Sequence, residues 1–330
     1  MKTVRRLIVL VALGVTSCAP VVQSVGPIIR APEFTGETLI MGDGAVLPVR
    51  HWSPKGAPKA VVIGLHGYND YSNAFAAPAK FWAARGIVTY AHDQRGFGAA
   101  PNRGIWAGAP SLVGDAIEMA RLARRKHPGI PLYFVGVSMG GAVAMLAMTQ
   151  KFAGKSPADG AVLVAPAVWG RRHMNVFQRS VLWFFSHTVP WFPLTGQGLK
   201  IKPSDNIPML RALGRDPLVL KQSRVDSVHG LVDLMDLAFA AAPKLTSPTL
   251  ALYGGKDEIV PAGPSLEVLK LMARRKATRV AVYDGGYHML LRGLKARVVL
   301  GDIAAWIENT ASPLPSQADL AWYQTSAHRR

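Results

Sequence analysis

Cys18 is the only cysteine in the 330-residue chain, so no disulfide can form within it. Acidic residues are also scarce: 20 Asp and Glu stand against 38 Lys and Arg, a formal net charge of +18. The apolar run at the N-terminus, Leu7 to Val15, is too short to span a bilayer comfortably. H-E-x-x-H, a phosphate-binding loop and a dinucleotide fingerprint are all missing, and neither a metal nor a cofactor is expected. No basic stretch is interleaved with stacking aromatics, which argues against a nucleic-acid partner. Internal repeats and long low-complexity tracts are missing too. Apolar residues are plentiful at 49%, enough for one enlarged α/β domain or a domain carrying an insertion.

The N-terminus reads as an export signal, with Lys2, Arg5 and Arg6 ahead of the short apolar run. Val15-Thr16-Ser17-Cys18 resembles the lipobox of bacterial lipoproteins, which implies cleavage after residue 17 and lipid on Cys18. A simple cleaved signal or an uncleaved anchor is the alternative. Ala19 follows where an Asp would favour retention at the inner membrane, so the resemblance favours the outer membrane of a bacterial envelope. Loss of residues 1–17 leaves a net charge of +15, which suits anionic headgroups.

Residues 18–35 mix Pro, Gly, Val and Ser without periodicity and are expected to be a tether. Residues 36–52 read as a hairpin around Gly42-Asp43-Gly44. Apolar strands then alternate with helical patterns: strands at 60–65, 87–92, 132–137 and 161–165, helices at 78–85, 111–127 and 139–151. The rhythm breaks over 167–243 and resumes with strands at 249–253 and 279–283 and helices at 265–275 and 290–308. The expected fold is α/β, a mostly parallel sheet covered by helices on both faces. Its core spans 36–166 and 244–311, with an insertion at 167–243 after the sixth strand and a surface tail at 312–330.

One stretch carries the chemistry. GVSMG at Gly136 to Gly140 follows an apolar strand and opens a helix, so a sharp turn would expose the Ser138 hydroxyl at a helix N-terminus. A serine needs a base, and the base needs a group that fixes its tautomer. In this architecture the chain order is Ser, acid, His, each after a strand. Asp257 follows LALYGG and His288 follows VYDGGY, as that order demands. Asp257 is favoured over Asp284, which also ends a strand near His288. The oxyanion needs two backbone N–H donors, from Met139 after the serine and Tyr68 after His66-Gly67. His66, Asp93 and Arg95 read as structural.

HGYNDYSNAF, YAHDQRGFG, GVSMGGA, LVAPAV, LYGGKDEIVP and YDGGYHMLL together resemble the α/β-hydrolases of the monoacylglycerol lipase and lysophospholipase type. The resemblance runs from about Leu47 to Leu294. It implies a Ser138-Asp257-His288 triad, an oxyanion hole at Tyr68 and Met139, and hydrolysis of acyl-lipid esters through a serine-linked intermediate. It also implies that 167–243 is a cap, which in lipid-active members touches the membrane. The chain departs from the family in the loop after HG, where Tyr68, Asn69 and Asp70 replace small or acidic residues.

Seven aromatics crowd 24 positions of the insertion: Trp169, Phe177, Trp183, Phe184, Phe185, Trp191 and Phe192. A majority are expected to pack the cap onto the core, the others to line an acyl pocket or face lipid. Two alternatives stay open. One is a short-chain or aryl esterase, thioesterase or peptidase on the same machinery, the other a non-catalytic envelope binding or scaffold lipoprotein.

Overall fold

The computed structural model describes residues 19–327, apart from 152, 153, 197, 199 and 276. Cys18 and the apolar run before it lie outside the described residues.

The strands are β1 (Glu33–Phe34), β2 (Thr38–Ile40), β3 (Val46–Trp52), β4 (Ala60–Leu65), β5 (Ile87–His92), β6 (Leu132–Val137), β7 (Gly160–Val164), β8 (Pro193–Thr195), β9 (Gln222–Arg224), β10 (Thr249–Gly254) and β11 (Thr278–Tyr283). Nine form one sheet in the order β1-β2-β3-β5-β4-β6-β7-β10-β11, while β8 and β9 pair separately. From β5 to β11 all neighbours in the large sheet are parallel; β1, β2 and β3 add an antiparallel edge. The helices are α1 (Ala76–Ala83), α2 (Ala109–Lys126), α3 (Met139–Thr149), α4 (Val176–Thr188), α5 (Ile207–Arg215), α6 (Val225–Ala241), α7 (Ala262–Ala273), α8 (Ala296–Glu308) and α9 (Ala318–Ala327).

The apolar run AVVIGL is buried along its whole length because both faces of the sheet are covered. Val61, Ile63 and Leu65 point into one core with Met119 and Val143 from α2 and α3. Val62 points into the other, with Trp82 from α1 and Trp306 from α8. The expected hairpin is present, and its turn does more than reverse the chain. Asp43 and the buried Asp115 both accept hydrogen bonds from Arg95, which fixes the loop after β5.

Four expectations need correction. The two-residue strand β1 shifts the count, so the 167–243 segment follows the seventh strand rather than the sixth. The helix expected at 290–308 begins at Ala296, as α8, because 290–295 form turns, one of them held by Asp205 accepting from the Leu294 N–H. The stretch read as a tether is a strap over much of its length: Gln23 N–H donates to Trp106 O (2.8 Å) and Ile29 N–H to Gly42 O (2.8 Å). Its lack of periodicity reflects backbone pairing that needs no apolar face. The tail is not merely superficial. Leu314 and Trp322 are buried, and α9 lies along β11, where the fully buried Asp319 neutralises Arg279.

Candidate active site

Ser138 sits between the last residue of β6 and the first of α3, with φ 52° and ψ −114°. A positive φ is costly for a residue with a side chain, and it persists only where the surroundings impose it. Here they do: Ser138 N–H donates to Val164 O (2.9 Å), and Ser138 O accepts from Ala142 (3.1 Å) and Ala167 (3.0 Å). The flanking glycines are compulsory. A Cβ on Gly136 would stand 2.3 Å from Gly140 O, and one on Gly140 would stand 2.1 Å from Leu65 O. The turn therefore lifts the serine onto the positive end of α3.

The loops after β10 and β11 supply the other two residues. Gly255 N–H donates to Tyr283 O (2.8 Å) and Lys256 N–H to Gly286 O (2.8 Å), so the two loops are bonded together. Asp257 Oδ1 accepts from the N–H groups of Ile259 (2.8 Å) and Val260 (3.0 Å). Its Oδ2 faces His288 Nδ1 at 2.8 Å. This pairing assigns the Nδ1 proton and leaves Nε2 of the buried ring for the cavity side. Asp284 is exposed and has no bond to His288 among the described residues. Asp257 is the carboxylate that meets the histidine.

Ser138 and His288 line one cavity of about 380 Å³ with Gly67 and Tyr68. Neither the Tyr68 nor the Met139 N–H has a backbone acceptor among the described residues. His66 holds the loop that carries Tyr68. Its Nδ1 donates to Gly67 O (2.8 Å), and its Nε2 accepts from the Gln94 N–H (2.9 Å). Complete burial pushes its pKa down, which keeps the neutral ring this arrangement requires.

Most of the remaining wall is apolar. Trp169, Met174, Val228, Leu231, Val232 and Met235 come from the segment between β7 and β10, facing Val137, Ile259 and Val260 from the sheet side. Asp70 is the one carboxylate on the lining, and it is ion-paired with Arg292, also on the lining.

Sequence reasoning missed what the Tyr68-Asn69-Asp70 loop does. Tyr68 Oη donates to Ser227 Oγ (2.8 Å), Asn69 Nδ2 to Ser223 Oγ (2.7 Å), and Asn69 O accepts from Leu220 N–H (2.9 Å). The loop is thus clasped to β9 and α6. Tyr71 Oη extends the clasp to Asp216 (2.7 Å), and that carboxylate helps push the buried phenol's pKa up to about 12, with burial the larger cause. These partners lie about 150 residues away, and only the unusual bulk of Tyr68-Asn69-Asp70 could have hinted at them. The aromatic expectation also needs correction. Of the seven, Trp169 lines the cavity, while the other six are between 41% and 76% exposed.

A family model described as "Serine aminopeptidase, S33" matches residues 56–294. The chain is 27% identical over 292 residues to the monoglyceride lipase of Homo sapiens, covering 83% of this chain and 93% of that one. It is 27% identical over 271 residues to the monoacylglycerol lipase of Mycolicibacterium smegmatis, covering 78% and 90%. Among solved structures, a soluble variant of the Saccharomyces cerevisiae monoglyceride lipase, in complex with a substrate analog, superposes with a TM-score of 0.71. That match has 18% identity and covers 88% of this chain and 97% of that one. The strained serine, the bonded loops and the matched 56–294 span converge on one conclusion: the chain belongs to the S33 family of serine hydrolases and has the α/β-hydrolase fold.

Proposed function

We propose that the protein hydrolyses carboxylic esters of acyl lipids, monoacylglycerols or lysophospholipids, with Ser138, His288 and Asp257 as its triad. The observation that carries this reading is the Asp257–His288 bond at the wall of an apolar cavity that also holds Ser138. His288 Nε2 takes the proton of Ser138 Oγ as the oxygen attacks the ester carbonyl. The N–H groups of Tyr68 and Met139 receive the oxyanion. The protonated His288, oriented by Asp257, gives its proton to the leaving alcohol, and an acyl-serine remains. Water activated by His288 then releases the fatty acid.

The apolar lining favours an acyl chain, since each buried methylene contributes about 0.8 kcal/mol. The relatives named monoglyceride and monoacylglycerol lipase support the same class. An aminopeptide would need a free carboxylate for its ammonium group, and Asp70, the one carboxylate on the lining, is taken by Arg292. Cleavage of medium- and long-chain monoacylglycerols in a panel that includes acetyl esters and aminoacyl amides is the expected result. Cleavage of the amides alone would contradict it.

The reading extends to the N-terminus. Lipid on Cys18 would hold the mature chain, 18–330, at the envelope of a bacterium, on the periplasmic face of the outer membrane. The lipobox-like VTSC and the basic balance support this placement. Residues 167–243 would be the cap over the cavity, with the core on either side in sequence. Globomycin-sensitive processing and acyl-chain incorporation at Cys18 test the attachment.

A further inference from the structure

The aromatics that do not line the cavity form a face of their own. On α4, Phe177, Val181, Phe184 and Phe185 recur at helical spacing and are exposed, whereas Ser186 is buried and Leu182 packs against the core. A helix on a globular protein normally turns its apolar stripe inward. Here a stripe points outward, and the nearby Trp191 and Phe192 extend the apolar surface to the turn before β8.

The N-terminal strap reaches this surface. Val21 N–H donates to Asp226 Oδ2 (3.2 Å), and Asp226 is almost wholly buried and also held by Arg224. The Asp226 N–H donates to Pro190 O (3.1 Å), and the Val225 N–H to Phe192 O (3.0 Å). Two hydrogen bonds therefore connect Val21 with the turn that presents Trp191 and Phe192. Just downstream the strap is pinned again. Val22 bridges to Trp106, Gln23 N–H donates to Trp106 O (2.8 Å), and Gln23 Nε2 donates to Ile105 O (2.6 Å).

We propose that residues 21–23 are a clamp that brings an N-terminal lipid attachment and the exposed aromatic face of residues 176–192 onto one bilayer surface. The inference rests on the acyl-lipid reading and on attachment at Cys18, which stands three positions before Val21. Charge selects a bilayer over a second copy of this basic chain. Residues 171–224 hold nine Lys and Arg against two Asp and Glu. Arg179, Lys200, Arg211 and Arg215 are exposed and have no ion pair among the described residues. Such cations suit the negative potential of a bilayer with anionic lipids and would repel a like-charged copy. Attachment through Cys18 alone would hold the chain at the bilayer without fixing its orientation, so a second contact at a set distance from it orients the cavity toward the surface.

The test uses the lipid-modified full chain on vesicles of phosphatidylcholine and phosphatidylglycerol. Val21→Pro with Gln23→Ala removes the Val21 N–H and the Gln23 side-chain donor and leaves the cavity lining untouched. Hydrogen exchange over residues 22–30 reports whether the clamp has opened; if it stays closed, a Gly-Ser replacement of residues 20–24 takes its place. Two of the eight tryptophans, Trp183 and Trp191, are exposed, so bromolipid quenching reads contact of the face with the bilayer.

With the clamp open, quenching should fall and turnover of vesicle-borne monoacylglycerol should drop about tenfold, while vesicle-bound protein and turnover of p-nitrophenyl butyrate stay unchanged. In a Cys18→Ala background the same substitutions should change neither reading, because no attachment is left to orient. Unchanged quenching and turnover with an open clamp would overturn the proposal, as would an equal clamp effect without Cys18. A wild-type chain whose quenching depends on the clamp, but which cleaves only p-nitrophenyl butyrate, would refute the acyl-lipid reading and leave the clamp standing.

Discussion

The sheet and the segment between β7 and β10 use the same kinds of residue in opposite directions. In the sheet, apolar runs such as AVVIGL vanish completely into two cores. In the segment, α4 buries only Ser186 fully and exposes Phe177, Phe184 and Phe185. The sheet's side chains are spent on stability, so the strand ends can hold a strained serine and a bonded Asp–His pair. The segment's side chains are divided between a cavity wall, at Trp169 and Met174, and an outward apolar face. Apolar composition alone therefore does not say which way a stretch faces; the partner across the interface decides.

Changes at the strand ends should have the largest effects. Ser138→Ala should lower ester turnover by about six orders of magnitude with the unfolding transition unmoved. Asp257→Asn should lower it about 10⁴-fold, because an amide there favours the wrong histidine tautomer and cannot balance the imidazolium charge, and Asp284→Asn should leave it near wild type. Single-turnover assays on a soluble ester separate the two carboxylates. If Asp284→Asn is the damaging change, the pairing at 2.8 Å is not the functional one.

Packing substitutions sharpen the contrast next. Phe134→Ala, in the centre of the sheet, should cost about 3 to 5 kcal/mol in urea unfolding. Phe184→Ala should change stability by no more than about 0.5 kcal/mol while lowering bromolipid quenching of the lipid-modified chain on vesicles. Comparable losses at both positions would erase the distinction between inward and outward faces.

The pH dependence of stability gives a smaller effect. His92 ends β5 wholly buried, with neither ring nitrogen bonded among the described residues, and burial drives its pKa down to about 3. The folded state keeps this ring neutral, whereas the unfolded chain binds a proton below about pH 6.5. Stability is therefore lost as pH falls through that window, by about 1.4 kcal/mol per unit. Urea melts at pH 7 and pH 5 should show that His92→Phe lessens the loss.

Much of the fold was legible in the chain. Continuous apolar runs of strand length gave β4, β5 and β6 residue for residue, because a strand covered on both faces needs no alternation. The site was legible for a related reason: GVSMG, LYGGKD and YDGGYH are local signals at strand ends. What could not be read were the long-range pairings, Tyr68 with Ser227, Asp70 with Arg292 and Val21 with Asp226, since no local pattern encodes them. The aperiodic strap was invisible for the same reason, and the aromatics misled because composition carries no direction.

Ser138, raised by the strained turn, is the proposed nucleophile, with His288 as its base. Labelling of the intact protein with a fluorophosphonate, followed by peptide mass mapping, tests it most directly. One adduct on Ser138, abolished in both Ser138→Ala and heat-unfolded protein and competed by monoacylglycerol, is the predicted result. A folded wild-type chain that takes no label, or takes it at another serine, would contradict the account.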